Sequence, residues 1–212
     1  LLFDRKALKV RVKDIWCFVG TGALSVSFFN FCYFKTITLT SLSVAAVLLY
    51  TAPAFVMVMS FFLFKENMTK KKVVALVIAF MGCVLVSGVV GGSGTLNAKG
   101  LLVGLGAGFG YALYSIFGRY ALQRGYNSIT ITFYTFVFAT LATIFMADVA
   151  SIIYIVEKQP GISVYATLMI LFVTLFPYLC YTKGLSGMEN GTASVIASIE
   201  PVMATVLGIL IY

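Results

Sequence analysis

Residues 28–64, FFNFCYFKTITLTSLSVAAVLLYTAPAFVMVMSFFLF, and residues 176–212, FPYLCYTKGLSGMENGTASVIASIEPVMATVLGILIY, align without a gap at a spacing of 148 residues. The identical pairs are Phe28 with Phe176, Cys32 with Cys180, Tyr33 with Tyr181, Lys35 with Lys183, Ala45 with Ala193, Val47 with Val195, Pro53 with Pro201 and Val58 with Val206. Any two apolar helices share aliphatic residues. The weight therefore rests on the two Tyr-x-Lys units and the two prolines, all at one offset. The chain carries an internal duplication.

Both copies lie in long apolar runs. Stretches without charge cover residues 15–34, 36–64, 73–98, 100–118, 125–147 and 159–182, and a seventh, 190–212, holds a single acid, Glu200. A helix needs about 20 apolar residues, at roughly 1.5 Å of rise each, to cross the hydrocarbon core of a bilayer. Seven such helices are predicted. With 61% hydrophobic and 10% charged residues, the chain is more apolar than one water-soluble core requires. A membrane barrel would alternate polar and apolar residues, whereas these runs are apolar on every face. The fold class is all-α, a polytopic membrane protein.

The net charge of +8 would suggest nucleic acid in a soluble chain, so its distribution decides. With residues 1–13 placed inside, strict alternation puts Arg5, Lys6, Lys9, Arg11, Lys13, Lys65, Lys70, Lys71, Lys72, Arg119, Arg124 and Lys183 on that side. Only Lys35, Lys99 and Lys158 fall on the other. Cytoplasmic loops are rich in Lys and Arg, so the excess is topological. The partner it implies is the lipid bilayer of a cell (plasma or inner) membrane, and no nucleic acid.

The span starting near Ile15 and its copy starting near Ile162 are separated by an odd number of helix positions, so the two copies run oppositely through the membrane. Inverted repeats of this kind build many secondary transporters. The second half has two helices before the duplicated region, the first half has almost none, and the helix at 73–90 lacks a copy after Tyr212. The expectation is an inverted five-plus-five repeat, truncated at both ends, with helices three to nine present. Its parts are a first unit at 1–91, a linker at 92–98 and a second unit at 99–212. Residues 1–13 lack a cleavage signature and read as a helix end, not as a signal peptide.

Cys17, Cys32, Cys83 and Cys180 lie within the spans without metal-ligand spacing and read as core packing. The sequence contains no His, the commonest metal ligand and usual general base, and no metal or cofactor is implied. Gly100, Gly104, Gly106, Gly108 and Gly110 include Gly-x-x-x-Gly spacings that let helix backbones approach closely. They do not meet the dinucleotide fingerprint, and no strand precedes them.

Glu200 is the one acid deep in a span. An acid at a helix centre costs a few kcal/mol, so it faces a cavity or a partner, and a protonated or hydrogen-bonded structural Glu is the other reading. The adjacent Pro201 frees the carbonyl of Ala197, so a local break would set backbone polar groups beside the carboxyl. Asn30, Tyr33, Tyr50, Tyr111, Tyr114, Ser115, Tyr178 and Tyr181 are polar or aromatic groups within spans, suited as a set to orient a small molecule. Each alone suits packing or an interfacial belt.

The local sequences resemble the EamA-type members of the drug/metabolite transporter superfamily. The resemblance covers essentially the whole chain. It rests on Tyr33-Phe34-Lys35, Ser43-Val44-Ala45-Ala46, Pro53, and Glu66 before Lys70-Lys71-Lys72, and in the second half on Tyr181-Thr182-Lys183, Thr192-Ala193-Ser194 and Glu200-Pro201. Lys65 departs from the Gly usually found beside that acid. The resemblance implies a secondary transporter of small metabolites, amino acids or their relatives leaving by alternating access, with a homodimer as a possible state. A sugar or nucleotide-derivative carrier is the alternative within that class. A membrane-embedded enzyme would call for His, paired acids or a Ser with a base, and a passive channel for a continuous polar lining.

Overall fold

The computed structural model describes residues 9–86, 97–145, 147–159, 161–200, 203, 206, 207 and 210. The helices are α1 (Val12–Leu39), α2 (Leu42–Leu49), α3 (Ala52–Phe64), α4 (Lys70–Val86), α5 (Ala98–Gln123), α6 (Ser128–Thr143), α7 (Val149–Lys158), α8 (Gly161–Ser186) and α9 (Asn190–Ala197). Among the described residues there is no strand.

Each of the seven apolar stretches holds helix, and among the described residues four spans are long and apolar enough to cross a membrane: α1, α2 with α3, α5 and α8. The limits drawn from charge need correction. α1 already includes Lys13 and Asp14, and α5 runs on through Arg119 to Gln123, because long basic side chains ride on helix ends with their heads toward water. Asn97 accepts a hydrogen bond from the backbone N–H of Lys99 at 3.0 Å, and Ala98 opens α5. Residues 91–94 and Pro201 lie outside the described residues. α7 fills the segment between two of the apolar stretches; Asp148 caps it, and Val149, Ile152, Ile153 and Val156 form one apolar stripe.

The duplication is visible in the backbone. α1 passes through a π-helical segment at Gly20–Ser27 and α8 through one at Met169–Leu175. Shifted by 148 residues, Gly20–Ser27 falls on 168–175, and α2 falls on α9. Each copy then breaks, at Tyr50–Thr51 and at Ser198–Ile199, before the chain turns helical again at Ala52 and Glu200. The bond closing the new turn is the same in both, Phe55 N–H to Thr51 O at 3.3 Å and Met203 N–H to Ile199 O at 3.0 Å. Pro53 therefore sits in the first turn of α3, where its missing N–H costs nothing, and not inside a continuous helix.

α5 is the hub, packing against α1, α2, α3, α6, α8 and α9. Its glycines make this possible. A Cβ on Gly104 would meet the Leu48 side chain and one on Gly108 would lie 2.9 Å from the Leu48 carbonyl oxygen, while one on Gly110 would lie 3.1 Å from the Phe29 nitrogen. α1 is tied to α6 by hydroxyls, Thr135 Oγ1 donating to Thr21 Oγ1 at 2.7 Å and Ser27 Oγ to the Ala139 carbonyl at 3.1 Å. In lipid such bonds average about 0.6 kcal/mol each. Cys17 and Cys32 are buried as expected, but Cys180 is exposed, and the Cys83 side chain lies outside the described residues.

One end of the bundle gathers the basic loops. Asp14 is buried and pairs with Arg11 Nε at 2.9 Å and Arg124 Nε at 2.9 Å, and accepts from the Tyr126 hydroxyl at 2.7 Å. Lys72, Arg119 and the α8–α9 turn meet at the same end through their contacts with Glu66 and Glu189. The start of α5 lies against the end of α1, where a Cβ on Gly100 would meet Thr40.

Candidate functional site

The two helix breaks meet beside α5. Tyr50, Ala52 and Pro53 from the first, and Ser194, Ser198 and Glu200 from the second, line one small pocket together with Tyr111, Ser115 and Tyr181. A cavity of about 400 Å³ adjoins it, sharing Tyr111, Ser115, Tyr181 and Glu200 and adding Ser25, Phe29, Tyr114 and Tyr178. Seven of the nine residues expected from sequence meet here: Tyr50, Tyr111, Tyr114, Ser115, Tyr178, Tyr181 and Glu200. Asn30 and Tyr33 line neither compartment. Asn30 spends its amide on its own helix, donating to Val26 O at 2.7 Å, and Tyr33 stacks between Phe29 and Phe34.

The polar groups have a definite proton order. Thr182 Oγ1 donates its single proton to the Tyr178 carbonyl at 2.7 Å, so the Tyr114 hydroxyl, 2.6 Å away, must donate to Thr182. Ser115 and Tyr181 share one hydrogen bond of 2.7 Å, which leaves one of their two protons for something else. Tyr114 meets Tyr178 edge to face at a centroid distance of 4.9 Å. Glu200 opens onto both compartments, and among the described residues no donor or cation engages its carboxylate. Among the described residues neither lining contains Lys or Arg.

Ser194 and Ser198 were missed from sequence, although the repeat held the signal, since the offset carries Tyr50 onto Ser198. Ser25 had none; it reaches the cavity because the π-helical segment displaces α1, and it donates to Gly110 O at 2.7 Å.

A second cluster closes the basic end, at the start of α9 and away from the helix break that carries Glu200. Glu66, just past the end of α3, accepts from the backbone N–H groups of Asn190 at 2.8 Å and Gly191 at 3.0 Å, the first turn of α9. A carboxylate suits that place because helix N-termini carry unpaired donors and partial positive charge. Arg119 stands 3.6 Å from the same carboxylate and donates to Leu185 O at 3.1 Å and Met188 O at 2.5 Å. Lys72 pairs with Glu189 beside it. The Asn190 side chain is fully buried with neither amide atom bonded among the described residues.

Fold and site together define a polytopic α-helical membrane protein with a polar compartment where its two helix breaks meet, the build of a small-molecule transporter. The chain belongs to the EamA-like transporter family, whose model matches residues 1–88 and again 98–212. A protein of Clostridium kluyveri described as an uncharacterized transporter is 28% identical, over 97% of this chain and 67% of its own length. One of Archaeoglobus fulgidus with the same description is 27% identical, over 94% of this chain and 70% of its own. The uncharacterized transporter YyaM of Bacillus subtilis is 24% identical over 92% and 65%. The chain thus spans about two thirds of these relatives. A solved crystal structure superposes with a TM-score of 0.72 over 98% of this chain and 69% of that one, at 17% identity, a likeness of fold.

Proposed function

We propose that the protein is a secondary carrier that exports a small metabolite, an amino acid or a relative of one, by alternating access, and that it is not an enzyme. The observation that carries this reading is the polar compartment lined by both helix breaks, one from each copy of the repeat. Discontinuous helices meeting near the midplane are how such carriers expose backbone groups and half-helix ends to a substrate.

The units are 1–91 and 99–212, related as inverted copies, and the two matches of the family model support that division. The basic end is cytoplasmic by its Lys and Arg. There Glu66 and Lys72 of the first unit hold the α8–α9 turn of the second, so rocking of one unit on the other has to release this clamp. The compartment then communicates with the cytoplasm when the clamp opens and with the outside when it is shut. A cell membrane is the site of action that export requires.

Counterflow of labelled amino acids by the full-length protein in proteoliposomes tests this. Saturable uptake accelerated by unlabelled amino acid on the other side is expected. Flux that is linear in concentration and indifferent to the opposite side would make the protein a channel, and no flux of any amino acid would remove the substrate assignment.

A further inference from the structure

We infer that the compartment recognises a protonated amine, which docks on the Glu200 carboxylate among the rings of Tyr111, Tyr178 and Tyr181. The inference rests on the carrier reading above and names the chemical class of its substrate.

Charge balance is the first argument. Among the described residues Glu200 is the only ionisable acid or base, tyrosines aside, in either lining, and no donor or cation stands beside it. A carboxylate set within a membrane-spanning segment is expensive unless a cation joins it. A phosphate or a lone carboxylate entering the same space would meet repulsion without any Arg or Lys to offset it, whereas sites for such anions are built from those residues.

The rings are the second. Ammonium groups are drawn to the faces of tyrosines, more strongly where water is excluded. Tyr111 and Tyr181 line both compartments and Tyr178 lines the larger, so an amine on Glu200 sits in aromatic surroundings. The third is the spare proton of the Ser115–Tyr181 pair, a donor for a hydroxyl, carbonyl or carboxylate carried by the same substrate. A cavity of about 400 Å³ lies at the lower end of the range for small-molecule sites, which favours a compact amine over a nucleotide derivative.

The test measures binding apart from transport. Purified full-length protein is titrated with tyramine, tyrosine methyl ester, N-acetyltyramine and 4-hydroxyphenylacetate, and thermal stabilisation is read. The two amines should bind at least tenfold more tightly than the N-acetylated compound and the carboxylate. Glu200→Gln should erase that preference and Glu200→Asp should retain it, so a poorly folded glutamine variant does not leave the question open. Equal binding of tyramine and N-acetyltyramine, or preference for the carboxylate, overturns the inference. So does an amine preference that survives in a folded Glu200→Gln protein. Counterflow separates the two readings: exchange without amine preference defeats this inference alone, and amine binding without any exchange defeats the carrier reading alone.

Discussion

Lys65 ends α3 with φ 56° and ψ 32°, a left-handed conformation that glycine adopts freely and lysine does not. The turn is what aims the next residue, Glu66, at the first turn of α9. A glycine here would be unstrained, and this chain bears a strain on the order of 1 kcal/mol for its Lys. Lys65→Gly is expected to raise the unfolding midpoint in detergent by roughly 1–3 °C, as a gain below about 1 kcal/mol would in a chain of this size. A fall would show that the lysine side chain makes contacts worth more than the strain. At this scale the sequence was half legible. Glu66 stood out as an acid before a basic loop, but its partners are backbone N–H groups 124 and 125 residues further on, and backbone carries no sequence signature. Glu200 was legible because charge is rare in a span.

The glycines of α5 were read from spacing as packing, and the geometry separates two of them sharply. A Cβ on Gly108 would strike Thr51 and come within 2.9 Å of the Leu48 carbonyl oxygen, at the first helix break, whereas on Gly106 it would lie 3.5 Å from Cys32 Sγ. Gly108→Ala is expected to cost about 1–3 kcal/mol by overpacking, and Gly106→Ala to be neutral or slightly stabilising through helix propensity. Thermal melts of the two variants in one detergent compare them directly, and equal midpoints would contradict this packing. The π-helical segments were not legible, since no residue type announces an extra backbone residue within a turn. α7 was legible in principle. Asp148 accepts from Ser151 N at 3.0 Å and from Ser151 Oγ at 2.6 Å, bonds that hold its carboxyl below the usual range. A depressed folded value means the cap stabilises α7 above the ordinary carboxylate range and is lost as pH falls through the lowered value. Amide exchange across 149–158 should therefore lose protection on acidification, and Asp148→Asn should flatten that dependence while keeping the helix.

Over the whole molecule, the class of fold followed from composition and the repeat, because lipid forces every backbone group into helix and leaves few alternatives. The closure at the basic end did not follow, since it joins α3 and α4 of one unit to the α8–α9 turn of the other through loops whose apposition only the packed bundle creates. That closure is built from opposing contributions. Two charge-assisted bonds to Glu66 favour it, while the buried amide of Asn190, unbonded among the described residues, opposes it by about 1–3 kcal/mol. A clamp balanced in this way can open without a large input, which is what a cycling carrier requires. Only contacts that differ between the closed and open states shift their ratio. Glu66→Gln keeps the shape of the side chain and one accepting oxygen, but loses the charge facing the α9 N-terminus and Arg119. It should shift the population toward the open form about tenfold, the equivalent of some 1.4 kcal/mol. Ser194→Cys, placed in the full-length protein with its native cysteines replaced, reports the change because Ser194 lines the inner pocket. Its reaction with an impermeant thiol reagent added on the side of the basic loops should quicken by that factor in Glu66→Gln and in Arg119→Gln, and Asn190→Leu should slow it. Labelling rates unmoved by all three substitutions would make the cluster a fixed brace and place the moving gate elsewhere in the bundle.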